Sequence, residues 1–201
     1  CLAETLALTG QAAQAQSLLQ QVLKTNYQSN LSAWAWTIAA EIAVRRGDQE
    51  AAERLFKRAL AITPEDNYLE GAYADFLLDS NKPQTVIARL TQRTRSDSLL
   101  LRLVLAEQRV NAPTYAQHRA ELAQRYAATR ARGDVTHQRE EARFMLHVER
   151  NPQAALLLAQ RNWAVQREPW DTRILLEAAH AAGNAAAARP VIEWIKKNRF
   201  A

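Results

Sequence analysis

The chain has little of what recognisable enzyme chemistry is built from. Its single cysteine, Cys1, cannot close an internal disulfide, so thiol usage does not report a compartment. With only 5 glycines it has no glycine-rich phosphate loop, and no G-x-S-x-G nucleophile turn is present. Four histidines, His118, His137, His147 and His180, are scattered without a HExxH or a clustered Cys/His spacing. His137 and Glu141 stand four apart and could share a ligand, although a solvated i,i+4 pair is the plainer reading. Glu140 and Glu141 are adjacent and so leave a helix on different sides, which excludes an acid–base dyad between them. The residues therefore point to no catalytic site, no metal and no cofactor. No uncharged apolar run approaches the length of about 18 residues needed to cross a bilayer; Leu99 to Ala106 is short and is broken by Arg102.

Charge of one sign is also scarce in one half. Residues 1–98 carry ten basic and eleven acidic side chains, residues 99–201 sixteen and ten. A basic half suits nucleic acid or another polyanion, with Arg109, Arg119, Arg125, Arg130, Arg132, Arg139 and Arg143 as the binding surface. Those arginines alternate with glutamates and form no dense run, which reads more simply as a solvated helical face.

What is abundant is alanine, leucine, glutamine and arginine, a helix-forming mixture. Residues 33–66 organise it into two amphipathic helices joined at Arg46-Gly47-Asp48. Ala39, Ala40, Ala52 and Ala59 fall where the helices cross, Trp36 and Phe56 fill between them, and Pro64 ends the unit. Similar units follow: residues 67–98, turning at Asp79 to Lys82 with Pro83 opening a helix; 99–132, with Pro113-Thr114 opening its second helix; 135–165, broken at Asn151-Pro152; and 171–198, turning at Gly183-Asn184. Asp171 is placed as the N-cap of its helix. Residues 2–23 align with the tail of such a unit, Ala3 with Ala40, Gly10 with Gly47, Ala15 with Ala52 and Leu19 with Phe56. The first helix then lacks its opening turn, as in a fragment of a longer protein; the competing reading is a lipid on Cys1 after removal of a signal.

The spacing Trp36, Ala40, Gly47, Ala52, Phe56, Ala59, Pro64 resembles the tetratricopeptide repeat, strongly over 33–98 and more loosely over 99–201. The resemblance implies an all-α, right-handed superhelical solenoid of about five antiparallel pairs, the first incomplete, forming one domain over 1–201. Each pair would pack only on its neighbours, with Trp194 and Phe200 closing the last layer. It also implies that the first helix of each pair lines a concave groove, here carrying Trp34, Thr37, Glu41, Arg45, Tyr68, Gly71, Asp75 and Asp79. Some members grip a C-terminal carboxylate with lysine and asparagine on that face. Thr37, Glu41, Gly71 and Asp75 would instead repel or ignore one. The expectation is a non-catalytic scaffold in a bacterial assembly, cytoplasmic or periplasmic, holding a protein segment against Trp34 and Tyr68. Polyanion binding through the arginines is the alternative.

Overall fold

Twelve helices and no strand make up the described residues, 2–25 and 30–200, of the computed structural model. In chain order they are α1 (Leu2–Leu8), α2 (Ala12–Thr25), α3 (Asn30–Arg45), α4 (Gln49–Ile62), α5 (Asn67–Asp79), α6 (Pro83–Leu90), α7 (Asp97–Val110), α8 (Tyr115–Ala131), α9 (Gln138–His147), α10 (Pro152–Val165), α11 (Pro169–Ala181) and α12 (Ala185–Asn198). They form six consecutive helix–turn–helix segments where about five were expected. Each internal turn holds one left-handed residue: Gly10, Gly47, Asn81, Asn111, Arg150 and Gly183. At Gly47 no atom lies within 4 Å of where a Cβ would stand, so glycine serves there only for its φ of +75°. Asparagine tolerates the same region and serves in two of the three turns that do without glycine; the third holds Arg150 at a φ of +53°.

The chain divides into two compact units, Cys1–Asn81 with Ile195–Ala201, and Lys82–Trp194. In the first, α3 is flanked by α1, α2, α4 and α5. Ala40, Ala52 and Ala59 are fully buried, so small side chains set how closely these helices approach. Phe56 of α4 meets Tyr73 and Phe76 of α5 with ring centroids 5.4 and 5.7 Å apart. Trp36 packs one side against the core formed with α1 and α2, and the Arg58 guanidinium lies 4.0 Å over its ring. The helix starts are tied down as well: Asp48 accepts from Ala51 N at 3.0 Å, and Asp66 from Tyr68 N and Leu69 N at 2.8 and 3.1 Å. Ala40→Leu or Ala52→Leu should cost about 1–3 kcal/mol in denaturant unfolding, because the added carbons must push close-packed helices apart.

The segment Ile195–Ala201 departs from the expectation that only neighbouring repeats touch. It belongs to the first unit, and the Arg199 carbonyl oxygen lies 3.7 Å from where a Cβ on Gly10 would stand. Trp194 stays with the second unit, edge-on to Trp163 at 5.3 Å.

In the second unit α7 is buried without interruption from Leu99 to Glu107. A helix covered on every face must neutralise its charged residues locally. Arg102 Nη1 donates to Ser98 O at 2.7 Å; Glu107 accepts from Thr114 Oγ1 at 2.6 Å and faces His118 Nδ1 at 2.9 and 3.0 Å. A second polar centre lies among α9, α10 and α11. Fully buried Asp171 accepts from Asn162 Nδ2 at 2.8 Å, from the Glu168 backbone N–H at 2.7 Å and from Arg139 Nη1 at 3.4 Å. Asp171 is therefore not the N-cap. Pro169, pre-set to a helical φ, starts α11 two residues earlier, and Asp171 reaches back from its first turn to the N-cap residue Glu168.

Candidate functional site

α3 and α5 are the first helices of their pairs, so the expected groove residues fall on two neighbouring elements. Trp34 leaves α3 with 37% of its surface exposed, and Tyr68 leaves the first turn of α5 with 58% exposed. The Tyr68 hydroxyl donates to Glu41 Oε1 at 2.8 Å, joining the two helices on the surface. Leu31, one turn before Trp34, is also exposed. Glu41 lies two turns beyond Trp34, about 10 Å along the axis. Leu31, Trp34, Tyr68 and Glu41 thus bring apolar and acidic surface to one unit. Asp79, at the end of α5, is exposed too.

The other predicted groove residues are placed differently. Thr37 is buried, its hydroxyl donating to Ala33 O at 2.8 Å. Four neighbouring helices leave only a narrow strip of α3 open, and a short side chain bonded back to its own helix does not clear them. Gly71 and Asp75 are buried as well, because α5 is enclosed from Leu69 to Leu78 except at Ala72. Thr37, Gly71 and Asp75 are covered by the fold, which corrects the expectation that all eight positions lie open on one face. Arg45 is half-buried, and its Nη2 is buried without a hydrogen-bond partner. Burial pulls its pKa down, against the raising effect of Glu41, Glu4 and Tyr68.

The arginines of the alternative surface are mostly engaged within the fold. Arg119 donates from Nε and Nη2 to the two Glu149 oxygens at 2.8 Å each. Arg125 Nη1 donates to Asp97 at 2.7 Å and to Thr94 O at 2.9 Å, and its Nη2 donates to Glu121. The hydrogen bonds to Glu149 and Asp97 are the main causes holding these two guanidiniums charged. Arg130 pairs with buried Glu141, and Arg139 with Glu140, Glu168 and Asp171. Burial opposes the Arg139 charge, yet Glu140, Glu168 and Asp171 outweigh it and raise the pKa. Arg143 is buried, its guanidinium 4.1 Å over the Trp170 ring, and so lies off the surface where it was expected. Arg109 and Arg132 remain exposed, Arg132 with a 3.4 Å bond to Thr129 Oγ1.

Many of these bonds join residues about one repeat apart: 30 for Arg119–Glu149, 28 for Arg125–Asp97 and 29 for Arg139–Glu168. Arg119–Glu149 and Arg139–Glu168 tie successive helix pairs together, whereas Arg125–Asp97 ties α8 to α7 within one pair. His147 and Glu177, 30 apart, add a rung at 3.0 Å that Arg173 Nε reinforces with a 2.7 Å bond to the same carboxylate. Burial alone would raise the Glu177 pKa, but hydrogen bonds from His147 and Arg173 hold it down to about 2, below the ordinary 4.5. A carboxyl with a depressed pKa stabilises the fold above its unfolded value, and that contribution is lost as pH falls from about 4.5 to about 2. Glu177→Gln should remove this acid dependence, worth roughly 1 kcal/mol after allowance for the partly exposed partners. Urea unfolding of both proteins across that window reads the difference.

A family model described as tetratricopeptide repeat matches residues 2–110. No curated protein matches the chain. Among solved structures, PilW, whose crystal structure is described as that of a widely conserved type IV pilus biogenesis factor, aligns with a TM-score of 0.54. The alignment covers 98% of this chain and 90% of that one at 19% identity, a likeness of fold. The family match spans more than half of the sequence, including the Trp36-to-Pro64 unit and the paired helices on both sides of it. The chain belongs to the tetratricopeptide repeat family.

Proposed function

We propose that this protein is a non-catalytic interaction scaffold that holds a segment of another protein against the surface formed by Leu31, Trp34, Glu41 and Tyr68. The observation carrying this reading is the exposed pair of aromatics on adjacent first helices, with Tyr68 held in place through Glu41. Rigid aromatic rings deliver a large contact area at low entropic cost, which is why they recur as anchors at interfaces. Glu41 beside Tyr68, and Asp79 at the far end of α5, favour a basic or neutral segment over an acidic one. Membership of the tetratricopeptide family supports protein partners in general. PilW is named as a pilus biogenesis factor, and a role of that broad class, organising proteins within a bacterial assembly, is the one extended to this chain.

The alternative, polyanion binding, has less to work with, because most of the seven arginines already hold carboxylates of this chain. Affinity capture with wild type, Trp34→Ala/Tyr68→Ala and Arg109→Gln/Arg132→Gln separates the two. Loss of the captured protein with the aromatic variant alone supports the proposal. Loss with the arginine variant alone, together with steep weakening in salt, would move the function to nucleic acid or another polyanion.

A further inference from the structure

Trp34, Tyr68 and Trp170 hold one and the same position of the repeat. Each stands 13 residues ahead of the left-handed residue in the turn of its pair, Gly47, Asn81 and Gly183 respectively. In the second unit that position is built into a cluster of α9 and α11. Two guanidiniums lie over the half-buried Trp170 ring, that of Arg143 from α9 at 4.1 Å and that of Arg173 from α11 at 4.4 Å. Arg143 is buried and Arg173 exposed, so the contact on the solvent side of the ring belongs to Arg173. Arg173 Nε also donates to Glu177 Oε1 at 2.7 Å, while Oε2 of the same carboxylate accepts from His147 Nε2 of α9 at 3.0 Å. The Arg173 guanidinium thus has an aromatic face and a carboxylate together, the two groups its planar, donor-rich shape matches.

We propose that Trp170 and Glu177 form a subsite for an arginine side chain of a partner polypeptide, which Arg173 occupies until the partner binds. The subsite rests on the scaffold reading only in taking a polypeptide as the source of that arginine. Arg173 reaches Trp170 three residues back and Glu177 four residues forward on its own helix, and exposed pairs at these spacings are weak. The groups it covers are held from the neighbouring helix instead. Arg143 backs the ring, and His147 holds the second carboxylate oxygen. Ring and carboxylate therefore stay in place when Arg173 swings into water and another guanidinium takes up the same two contacts. Glu177 is ionised at neutral pH, its pKa held down to about 2 by His147 and Arg173, so an acidic side chain is repelled.

Fluorine NMR of the full chain labelled with fluorotryptophan tests this. Among the 5 tryptophans, the Trp170 resonance is the one missing from Trp170→Phe. The probes are N-acetyl-argininamide and its uncharged isostere N-acetyl-citrullinamide. In Arg173→Ala, which uncovers the ring and the carboxylate, the arginine probe should shift the Trp170 resonance saturably, with a Kd on the order of 10 mM. Wild type should bind it at least several-fold more weakly, and the citrulline probe should give no saturable shift. Glu177→Gln added to Arg173→Ala should weaken the arginine response several-fold. If circular dichroism shows Arg173→Ala unfolded, Arg173→Gln takes its place with the same expectation. No saturable Trp170 shift in the folded uncovered variant, an equal shift from the citrulline probe, or an equal affinity in wild type would each overturn the proposal. Capture of a partner by wild type and Trp34→Ala/Tyr68→Ala reads the first unit alone, so failure of the scaffold reading is told apart from failure of this one.

Discussion

Asp171→Ala is expected to destabilise the protein by about 3–5 kcal/mol, the range for removing one partner of a buried ionic cluster. Its carboxylate is fully buried and accepts three bonds, from Asn162, Arg139 and the Glu168 backbone. Alanine would strip the buried Asn162 amide and the helix-start N–H of their acceptor at once. It would also remove the anion that helps Arg139 bridge α9 and α11. Asp171→Asn keeps the shape and one acceptor oxygen but turns the other position into a donor facing donors. A smaller loss, about 1–3 kcal/mol, is expected from it. Denaturant unfolding measures both; a loss below about 1 kcal/mol for the alanine variant would show that the cluster contributes little beyond filling space.

The second large effect concerns binding. Removal of both Trp34 and Tyr68 should weaken partner affinity at least a hundred-fold, since desolvated aromatic anchors are each worth about 2 kcal/mol or more. Tyr68 is 58% exposed and its truncation should cost little, but Trp34 is only 37% exposed, so the double variant loses buried apolar area and its denaturant unfolding is measured beside the affinity. Tyr68→Phe separates ring from hydroxyl. It gives up the 2.8 Å bond to Glu41 but keeps the contact area, so its expected loss is under about ten-fold. Calorimetric titration of the purified partner reads all three variants. Equal affinity for wild type and the double variant would remove the aromatic surface from the binding site.

The repeat pattern was legible because its residues do local work. Gly47 occupies a left-handed turn, Ala40 and Ala52 sit at a close crossing, Phe56 fills the space beside them, and each role restricts residue type at a fixed offset. Trp34 and Tyr68 were readable for the same reason, being large apolar residues off the buried stripe. The enclosure of the other expected positions was not. Placing Thr37, Gly71 and Asp75 on a surface used helical periodicity alone, which gives direction but not what lies in that direction. The signal that α5 is enclosed was present in its composition: apolar residues surround the helix rather than forming one stripe, and α7 shows the same with Leu99 to Ala106. The arginines misled for a related reason. Their partners stand 28 to 30 residues away in sequence, so only helix packing, within the α7–α8 pair for Arg125 and between pairs for Arg119 and Arg139, reveals that all three are already paired. Glu107 with His118, and Asp171 with Asn162, are likewise pairs made by helix packing that no short motif announces.

Site-specific photo-crosslinking tests the central claim most directly. A photoreactive phenylalanine is placed in turn at Tyr68 and Leu31 of the first unit, and at Arg132 and Leu157 of the second, all four exposed. The account predicts a protein adduct at Tyr68 and Leu31 and none at Arg132, with unlabelled partner suppressing the adduct. Adducts at Arg132 with none at Tyr68 or Leu31 would contradict it and place recognition on the arginine-rich half.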